Sequence, residues 1–354
     1  MQRSLGISWD VATDEFTFEV SAMEKPYTHR GALSTISSLY DPLGFAAPVS
    51  IQGRALLREL TNETCKWGNP LPETKVKVWH EWKDSLKDLE HVRIPRTYTS
   101  ISLNSSTDRE LCIFCDASTQ AIAAVAYMKV TDAEGKSELG FVFGKAKLTP
   151  QPEATIPRLE LCAAILAVEI ADMLTDEIDV QFHSVRFFTD SKVVLGYIRN
   201  KSRRFYVYVS NRVQRIRKSS RLEQWNYVPM FTNPADHASR SIPANTLMSS
   251  TWLKGPDFLL KPDRNTDDSD TSFDLVNPES DPKIRPLVTS CVTKVVESPL
   301  NPRRFESFSS WRSLVRTISR LIHVAGSFKR EKQQVQLSRL ARMQKSLPRR
   351  SCQG

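Results

Sequence analysis

The hydrophobic pattern of the chain centres on a short apolar run that ends in a carboxylate. Residues 111–118 read LCIFCDAS, so that five apolar residues are followed by Asp116. A continuous apolar run of this length, bounded by polar residues, is typical of a strand covered on both faces. Ligand chemistry in open α/β sheets gathers at the carboxyl ends of such strands. We therefore expect Asp116 at the functional edge of a sheet.

A second run of the same kind lies further along the chain. Residues 185–191 read VRFFTDS and carry Asp190 near their end, and a helix-like segment over 192–200 follows at once. If the two runs are parallel strands of one sheet, their carboxyl ends meet at the same edge. We therefore expect Asp116 and Asp190 to lie side by side.

A helix is predicted between these two strands, over residues 157–174. Pro157 fits its first turn, and Glu160 lies one turn in. Small residues continue the face of Glu160 at helical spacing, namely Ala163, Ala164, Ala167 and Ala171. Such a face can pack closely on a sheet and would direct Glu160 toward its carboxylate end. An unpaired buried charge is unfavourable there, and a metal ion would remove that penalty. A fourth carboxylate, Asp236, follows in residues 233–236, NPAD.

The remaining pattern divides the chain into segments. A hairpin around Thr13 and Asp14, followed by helical stretches, indicates a mixed α+β N-terminal segment. Strands over 121–130 and 138–147 predict an antiparallel meander with the first apolar run. The predicted boundaries are a mixed segment over 1–100, a linker over 101–109, an α/β domain over 110–245 and an acidic disordered linker over 246–300. An amphipathic-helix segment follows over 301–328, with helical spacing over 308–324 that Gly326 closes, and a basic tail is predicted over 329–354.

The charge adds a candidate binding surface. The chain has 49 Lys and Arg against 40 Asp and Glu, a net charge of +9, and clustered positive charge suggests a polyanionic partner. Residues 199–221 contain no acidic residue, while Phe205, Tyr206 and Tyr208 interleave with the basic side chains. The basic residues are Arg199, Lys201, Arg203, Arg204, Arg212, Arg215, Arg217, Lys218 and Arg221. A solvated helical face is the alternative, but charge of one sign favours phosphate binding.

The six cysteines have no paired zinc-ligand spacing. Cys112 and Cys115 would point to opposite faces of one strand, which predicts buried thiols. The sequence shows neither a signal peptide nor a membrane-spanning run. A membrane partner is therefore not expected.

The order Asp, Glu, Asp, Asp on these elements is similar to that of the ribonuclease H fold. The motifs FCDAS, PRLEL, FFTDSKVVLGYI and NPADHASR resemble the ribonuclease H region of BEL/Pao-type retrotransposon polyproteins. LGISWD and RGALSTISSLYDPLGFAAPVSI resemble the end of the palm and the thumb and connection of the reverse transcriptase. Residues 305–329 resemble the segment ahead of the integrase, and the main resemblance covers about residues 4–260.

This resemblance implies a ribonuclease H-like mixed five-stranded sheet with flanking helices, preceded by a smaller α+β thumb and connection segment. It also implies hydrolysis of the RNA strand in RNA–DNA hybrids with two Mg²⁺ or Mn²⁺ ions, which oxygen ligands suit. Asp116 would bridge both ions, Glu160 and Asp190 would complete one site, and Asp236 would hold the other. The implied partners are the hybrid and the rest of the polyprotein. The YxDD polymerase signature and an integrase core are missing from the chain, so polymerase activity is not expected.

Each carboxylate also has a structural alternative. Asp116 could form a turn, Glu160 could be a first-turn residue favoured by the helix dipole, and Asp190 could cap the next helix. Asp236 could belong to a capping box begun by Asn233. His237 is expected to be a surface residue.

Two other functions remain open at this point. The first is an inactive remnant that binds nucleic acid. The second is an aspartic-type peptidase, a label attached to this region of Pao-type elements, although the chain has no DTG or DSG loop.

Overall fold

The structure of the protein, a computed structural model, describes residues 2–4, 7–20, 25–63, 68–151, 154–261, 274–276, 281–286, 305–308 and 310–327. Residues 1–287 form one compact unit and residues 288–354 another. The predicted basic tail over 329–354 lies outside the described residues, as do Cys65, Cys291 and Cys352.

The N-terminal part contains a small sheet and three helices. Its strands are β1 (Gln2–Ser4), β2 (Ile7–Asp10), β3 (Glu15–Thr17) and β4 (Ile94–Pro95), which pair antiparallel in chain order. The predicted hairpin turns at Asp14, which has a φ of 56°. The helices are α1 (His29–Ser38), α2 (Ala47–Glu63) and α3 (Val76–Ser85).

The larger sheet has five strands. They are β5 (Asp108–Ala117), β6 (Ala121–Thr131), β7 (Ser137–Leu148), β8 (Ser184–Thr189) and β9 (Trp225–Tyr227), in the spatial order β7-β6-β5-β8-β9. The first three form the predicted antiparallel meander, and β8 and β9 add in parallel to the other side of β5. This mixed sheet with flanking helices is the ribonuclease H-like fold that the sequence predicts.

Both faces of this sheet are covered. The helices of the second half are α4 (Ile156–Glu177), α5 (Lys192–Arg199), α6 (Val207–Ser219), α7 (Asp236–Arg240) and α8 (Thr251–Lys254), and short 3-10 helices span Glu73–Lys75, Leu86–His91, Leu222–Gln224, Met230–Thr232, Ala244–Ser249 and Asp257–Leu260. Ile113 of β5 packs in one core with α4, α5 and α6. Phe114 packs in the opposite core with α2, α7 and α8. The alternation of a strand therefore divides the apolar run between two cores.

The loop before α2 joins the N-terminal part to the larger sheet. Gly44 has a φ of 80°, and a Cβ atom at this position would lie 1.7 Å from the carbonyl oxygen of Gly144 on β7. The amide of Gly144 donates to the carbonyl of Leu43 at 2.8 Å. The indole Nε1 of Trp252 donates to the carbonyl oxygens of Gly44 and Phe45 at 3.1 and 3.0 Å. Only glycine fits this close approach of two backbones.

Asp41 holds the same loop and gives the fold a pH dependence. Its carboxylate accepts from the amides of Phe45 and Ala46 at 2.9 and 2.8 Å. Burial, partly opposed by these amides, raises the pKa of Asp41 from 3.8 to about 6. Because the folded state binds the proton more tightly than the unfolded state, this contribution to stability is present below pH 3.8 and is lost as the pH rises through about 6.

The expected result is a difference between the wild type and Asp41→Asn that depends on pH. The free energy of unfolding of the wild type should fall relative to that of the variant between about pH 4 and about pH 6.5. Urea denaturation at several pH values measures this. Parallel pH profiles for the two proteins would contradict the assignment of this titration to Asp41.

Two segments of the predicted disordered linker over 246–300 are part of the folded structure. Leu247 and Trp252 are fully buried and Leu259 is nearly so, so residues 246–260 belong to the folded unit. Ile284 is also buried, and Phe205 forms an isolated antiparallel bridge with it. The prediction followed the excess of polar residues and overlooked a few large apolar ones, which are sufficient to dock a short segment. The rest of that linker lies almost entirely outside the described residues.

The second unit contains a helix over residues 311–327. It lies within the predicted amphipathic helix, but Gly326 is inside it and does not end it. Trp311 and Leu321 on this helix are 75% and 63% exposed. In the described part of the chain, no helix combines the length and apolar character needed to cross a bilayer.

Candidate active site

Asp116 and Asp190 lie at adjacent strand ends. The parallel register of β5 and β8 pairs Cys115 with Thr189, so the next residues of the two strands are Asp116 and Asp190. Asp116 is buried and Asp190 is half-buried. The two carboxylates are thus brought together at the carboxyl edge of the sheet, as the sequence predicts.

Glu160 approaches the same edge from α4. The hydroxyl of Ser191 donates to Oε2 of Glu160 at 2.7 Å and accepts from the amide of Val194 at 3.2 Å. Ser191 is therefore the N-cap of α5, which leaves Asp190 without the capping role considered above. Glu160 is the fifth residue of α4, beyond the first turn that the dipole alternative requires.

Asp236 begins α7, which is tied to the end of β5. Asn233 donates through Nδ2 to the carbonyl of Cys115 at 3.1 Å. The hydroxyl of Ser239 donates to Asp116, and the hydroxyl of Ser118 donates to the carbonyl of Ser239 at 2.6 Å. These contacts fix α7 beside Asp116.

The side chain of Asp236 does not take part in a capping box. Asn233 Oδ1 accepts from the amide of Ala235 at 3.2 Å. Asn233 therefore makes a capping bond of the kind that a capping box requires. The Asp236 carboxylate instead pairs with Nε of Arg240 at 2.6 Å, an i,i+4 ion pair. Asp236 is therefore close to the other acids, and its negative charge is already paired with Arg240.

The four acids affect one another electrostatically. Burial and then the charge of Asp116 raise the pKa of Asp190 to about 7, and Glu160 and Asp236 add to this. Burial raises the pKa of Asp116, the hydrogen bond from Ser239 opposes the shift, and the charge of Asp236 adds to it. Burial raises the pKa of Glu160, Ser191 opposes it and the charge of Asp116 adds to it. The arrangement is therefore a cluster of carboxylates in which burial and mutual repulsion oppose ionisation.

The donor chemistry of this cluster fits a divalent cation, although the side-chain orientations do not enclose one. Carboxylate oxygens are the ligands that Mg²⁺ and Mn²⁺ prefer. Among the residues that the structure describes, no group of three or more Asp, Glu, His or Cys side chains is arranged to hold a metal ion. Asp116, Glu160 and Asp236 each accept from a neighbour, namely Ser239, Ser191 and Arg240. These partners hold oxygens that a cation would otherwise attract.

His237 is half-buried. One of its ring nitrogens, Nε2, is 2.8 Å from the hydroxyl of Thr251 on α8. Burial lowers the pKa of His237, and the charge of Asp236 opposes the shift. The residue therefore connects α7 to α8 in this structure.

The basic residues fall into two groups. Arg215 pairs with Asp172 of α4 at 2.8 Å, Arg212 lies over the ring of Tyr208 at 3.5 Å, and Arg199 donates to the carbonyl of Trp225 at 3.2 Å. Lys201, Arg203 and Arg204 line an open cavity. Asp172, which pairs with Arg215, is distant from it in sequence. The run of basic residues over 199–221 therefore gave no sign of this ion pair.

Ser239 and Arg240 are the site residues that the sequence analysis missed. Both contact carboxylates of the cluster, and they lie three and four residues after Asp236. The spacing of Asp236 and Arg240 is that of a favourable helical ion pair. This signal was present in the motif NPADHASR.

The sequence matches one known family over residues 28–191, described as the Pao retrotransposon-like RNaseH-like domain. The matched range contains Asp116, Glu160 and Asp190 and ends before Asp236. None of the curated proteins matches the chain.

Several solved structures are similar to parts of this chain. Ribonuclease H1 from the halophilic archaeon Halobacterium salinarum NRC-1 is 18% identical, with 36% of this chain and 90% of that chain covered and a TM-score of 0.25. LC11-RNase H1 in complex with an RNA/DNA hybrid is 16% identical, with 38% and 96% covered and a TM-score of 0.27. The protease-reverse transcriptase of prototype foamy virus is 13% identical, with 57% and 32% covered and a TM-score of 0.23.

The fold assignment rests on the strand order of the sheet and on the family match, because the TM-scores of the solved structures are low. The motifs quoted above and the family match both indicate a retrotransposon of the Pao type. The resemblance to BEL/Pao-type sequences is therefore confirmed over residues 28–191, where the chain matches the Pao retrotransposon-like RNaseH-like domain.

Proposed function

We propose that this chain hydrolyses the RNA strand of RNA–DNA hybrids by two-metal catalysis. The observation that carries the proposal is the cluster of Asp116, Glu160, Asp190 and Asp236 at one sheet edge, where burial and mutual repulsion raise the pKa of Asp190 to about 7. A protein gains no stability from such repulsion. A cation-binding role accounts for retaining these acids together.

The four carboxylates would hold two Mg²⁺ or Mn²⁺ ions, which when bound would activate a water and stabilise the leaving oxygen of a phosphodiester. Asp116 would contact both ions, because it adjoins Asp190 on one side and the α7 residues on the other. Ser191 would orient Glu160 through its hydrogen bond. Arg240 would have to share Asp236 with the ions.

The basic residues would bind the hybrid. Lys201, Arg203 and Arg204 line an open cavity after α5 and suit phosphate groups through their charge. Arg199, Arg212 and Arg215 have partners within the protein, so their share in binding would be smaller than the sequence analysis suggested.

We also propose that the domain acts as part of a BEL/Pao retrotransposon polyprotein. The motifs that resemble such polyproteins extend over about residues 4–260, beyond the ribonuclease H-like motifs themselves. The N-terminal part shares a core with the larger sheet through Phe45 and Trp252. The polymerase and integrase of the same polyprotein would then be its partners.

A cleavage assay with metal control tests the proposed activity. The full chain is incubated with an RNA–DNA hybrid labelled on the RNA strand, with Mg²⁺, with Mn²⁺ or with EDTA. We expect cleavage of the RNA strand with either metal and none with EDTA. Single-stranded RNA and duplex DNA of the same sequence serve as controls and should remain intact. Equal cleavage in EDTA would contradict the two-metal mechanism.

The ion pair of Asp236 with Arg240 favours one other candidate, an inactive domain that still binds nucleic acid. In that case a carboxylate of the cluster would be permanently neutralised by Arg240. The same assay separates the two functions. Binding of the hybrid without cleavage in either Mg²⁺ or Mn²⁺ would establish the inactive domain.

A further inference from the structure

A short segment within the predicted disordered linker docks beside α6. This segment, residues 281–286, is called the strap below. Its backbone pairs with the residues before α6: the amide of Tyr206 donates to the carbonyl of Lys283 at 3.1 Å, and the amide of Arg285 donates to the carbonyl of Arg204 at 2.8 Å. Between these bonds, Ile284 bridges Phe205. The strap thus forms one step of antiparallel pairing on the basic segment.

The side chains of the strap hold it in place. Ile284 is 5% exposed and belongs to the core formed by α4, α5 and α6. The hydroxyl of Tyr197 on α5 donates to the carboxylate of Asp281, and Asp281 also accepts from the amide of Lys283 at 2.9 Å. The strap therefore has an apolar anchor and a polar anchor at separate positions.

The docked strap completes a basic cavity. The cavity has a volume of about 350 Å³ and opens to solvent between the end of α5 and α6. Five cationic side chains line it, namely Lys201, Arg203, Arg204, Arg217 and Arg285, and no acidic side chain is among its lining in the described part of the chain. Four of these cations come from residues 201–217. Arg285 comes from the strap.

The contacts of Arg217 and Arg285 are with neutral groups. Arg217 donates to the carbonyl of Ile198 at 2.8 and 2.9 Å and to the carbonyl of Asn200, and burial lowers its pKa. The guanidinium of Arg285 lies 5.5 Å from the centre of the Tyr206 ring. Such contacts position a guanidinium without neutralising it, and its planar fork suits the oxygens of a phosphate.

The cavity and the carboxylate cluster lie at opposite ends of α5. Asn200, the C-cap of this helix, lines the cavity together with Arg285, while Ser191, the N-cap of the same helix, donates to Glu160. A single isolated anion needs only one binding position. A cavity lined by several cations at the other end of α5 from the acids suits a polymer whose phosphates repeat along its length.

We infer that the strap and the basic segment together form a binding site for the phosphodiester backbone of nucleic acid, with Arg285 as one of its phosphate ligands. This inference deepens the proposed function and relies on it for the kind of nucleic acid, an RNA–DNA hybrid. A strand held there would extend from the cavity toward Asp116 and its neighbours. The strap would then be a working part of the domain and not a connection to the next segment.

The test measures binding of the full chain to a fluorescent RNA–DNA hybrid by anisotropy, in EDTA and over a series of salt concentrations. Arg285→Ala should weaken binding about two- to fivefold at moderate salt, the range of an exposed charge pair. It should also reduce the slope of log affinity against log salt by about 0.9, the value for one phosphate contact. Arg285→Lys should restore most of the slope because it keeps the charge.

Lys77→Ala is the matched control, because it removes one positive charge from α3, where Lys77 is 88% exposed. Its affinity and slope should equal those of the wild type. The inference is overturned if Arg285→Ala leaves both quantities unchanged or if Lys77→Ala changes them as much. Binding of inorganic tripolyphosphate without binding of the hybrid would also overturn it.

Arg204→Ala provides a second variant on the other side of the cavity, should Arg285→Ala alter the fold. The same loss of affinity and slope is expected, and an unchanged slope in a folded Arg204→Ala protein counts against the site. Because no divalent ion is present, these measurements do not depend on cleavage. Failure of the strap site and failure of the proposed hydrolysis can therefore be distinguished.

Discussion

Replacing Asp116 by Asn is expected to lower the rate of hybrid cleavage by about a thousandfold or more, the scale of losing a central electrostatic group of an active site. Asp116 adjoins Asp190 through the strand register and receives the hydroxyl of Ser239. It would therefore be the carboxylate shared by both metal ions. The measurement is the initial rate of RNA cleavage at saturating Mg²⁺.

The Asp116→Asn variant should still fold and should still bind the RNA–DNA hybrid. Burial, opposed by Ser239 and reinforced by Asp236, raises the pKa of Asp116, so the folded state disfavours its charge. A neutral amide of the same shape should leave the melting temperature unchanged or raise it in the absence of metal. Binding of the hybrid in EDTA should be retained, since the variant has one negative charge fewer.

Glu110→Gln is the matched control for this experiment. Glu110 is a buried carboxylate on the same strand, 3.6 Å from Arg186 and accepting from Ser184 at 3.0 Å. Its replacement should leave cleavage within about twofold of the wild type when the protein remains folded, because Glu110 and Asp116 are separated along β5 by about 20 Å. Cleavage by Asp116→Asn at the wild-type rate would remove Asp116 from the site.

Replacing Trp252 by Ala should produce the largest loss of stability, about 3–5 kcal/mol, as expected for a fully buried tryptophan. Its ring packs against Phe141 at a centroid distance of 6.1 Å, and its indole donates to Gly44 and Phe45. The change would thus remove a core side chain and two hydrogen bonds that join the N-terminal loop to the larger sheet. Urea denaturation followed by circular dichroism measures the free energy of unfolding.

Two further variants separate the contributions of Trp252. Trp252→Phe keeps an aromatic ring but removes the indole donor from both carbonyls, of which that of Gly44 still accepts from the amide of Ala47 at 3.3 Å, and should cost about 1–3 kcal/mol. Trp311→Ala removes a tryptophan that is 75% exposed and should change the stability by less than about 0.5 kcal/mol. If Trp252→Ala were no more destabilising than Trp311→Ala, the N-terminal part would not depend on this contact.

The contacts of the carboxylate cluster show what would have to change if it bound a cation as proposed. Ser239, Ser191 and Arg240 each occupy an oxygen of Asp116, Glu160 or Asp236. The hydroxyls can keep these bonds while the other oxygen of each acid binds a cation, since a carboxylate has about four acceptor positions. Arg240 carries a full positive charge and competes directly. Arg240 is therefore the residue whose position separates the active from the inactive candidate.

The order of the carboxylates made much of the site predictable. Asp116 and Asp190 each follow an apolar run, and the carboxyl ends of parallel strands meet at one edge. Glu160 could be added because the alanines at helical spacing identified the face of α4 that packs on the sheet.

The partners of these acids were less accessible from the sequence. The hydroxyl of Ser239 reaches Asp116 across 123 positions, and Asp172 balances Arg215 across 43 positions. The absence of acidic residues from a segment shows only that no acid is near in sequence, and an acid elsewhere in the chain can still pair with it. Distant residues neutralise or orient a charge only once the helices have packed.

Local patterning was enough to predict the strands of the larger sheet and the edge at which Asp116 and Asp190 meet, because periodicity and the positions of apolar runs are local properties of the chain. It was not enough to show that Trp252 and Ile284 bring polar segments into the folded unit. Nor could it show which charges are balanced, since Arg240 and Asp172 act on their partners through space. Burial and pairing depend on what surrounds a side chain, and only the folded chain supplies those surroundings.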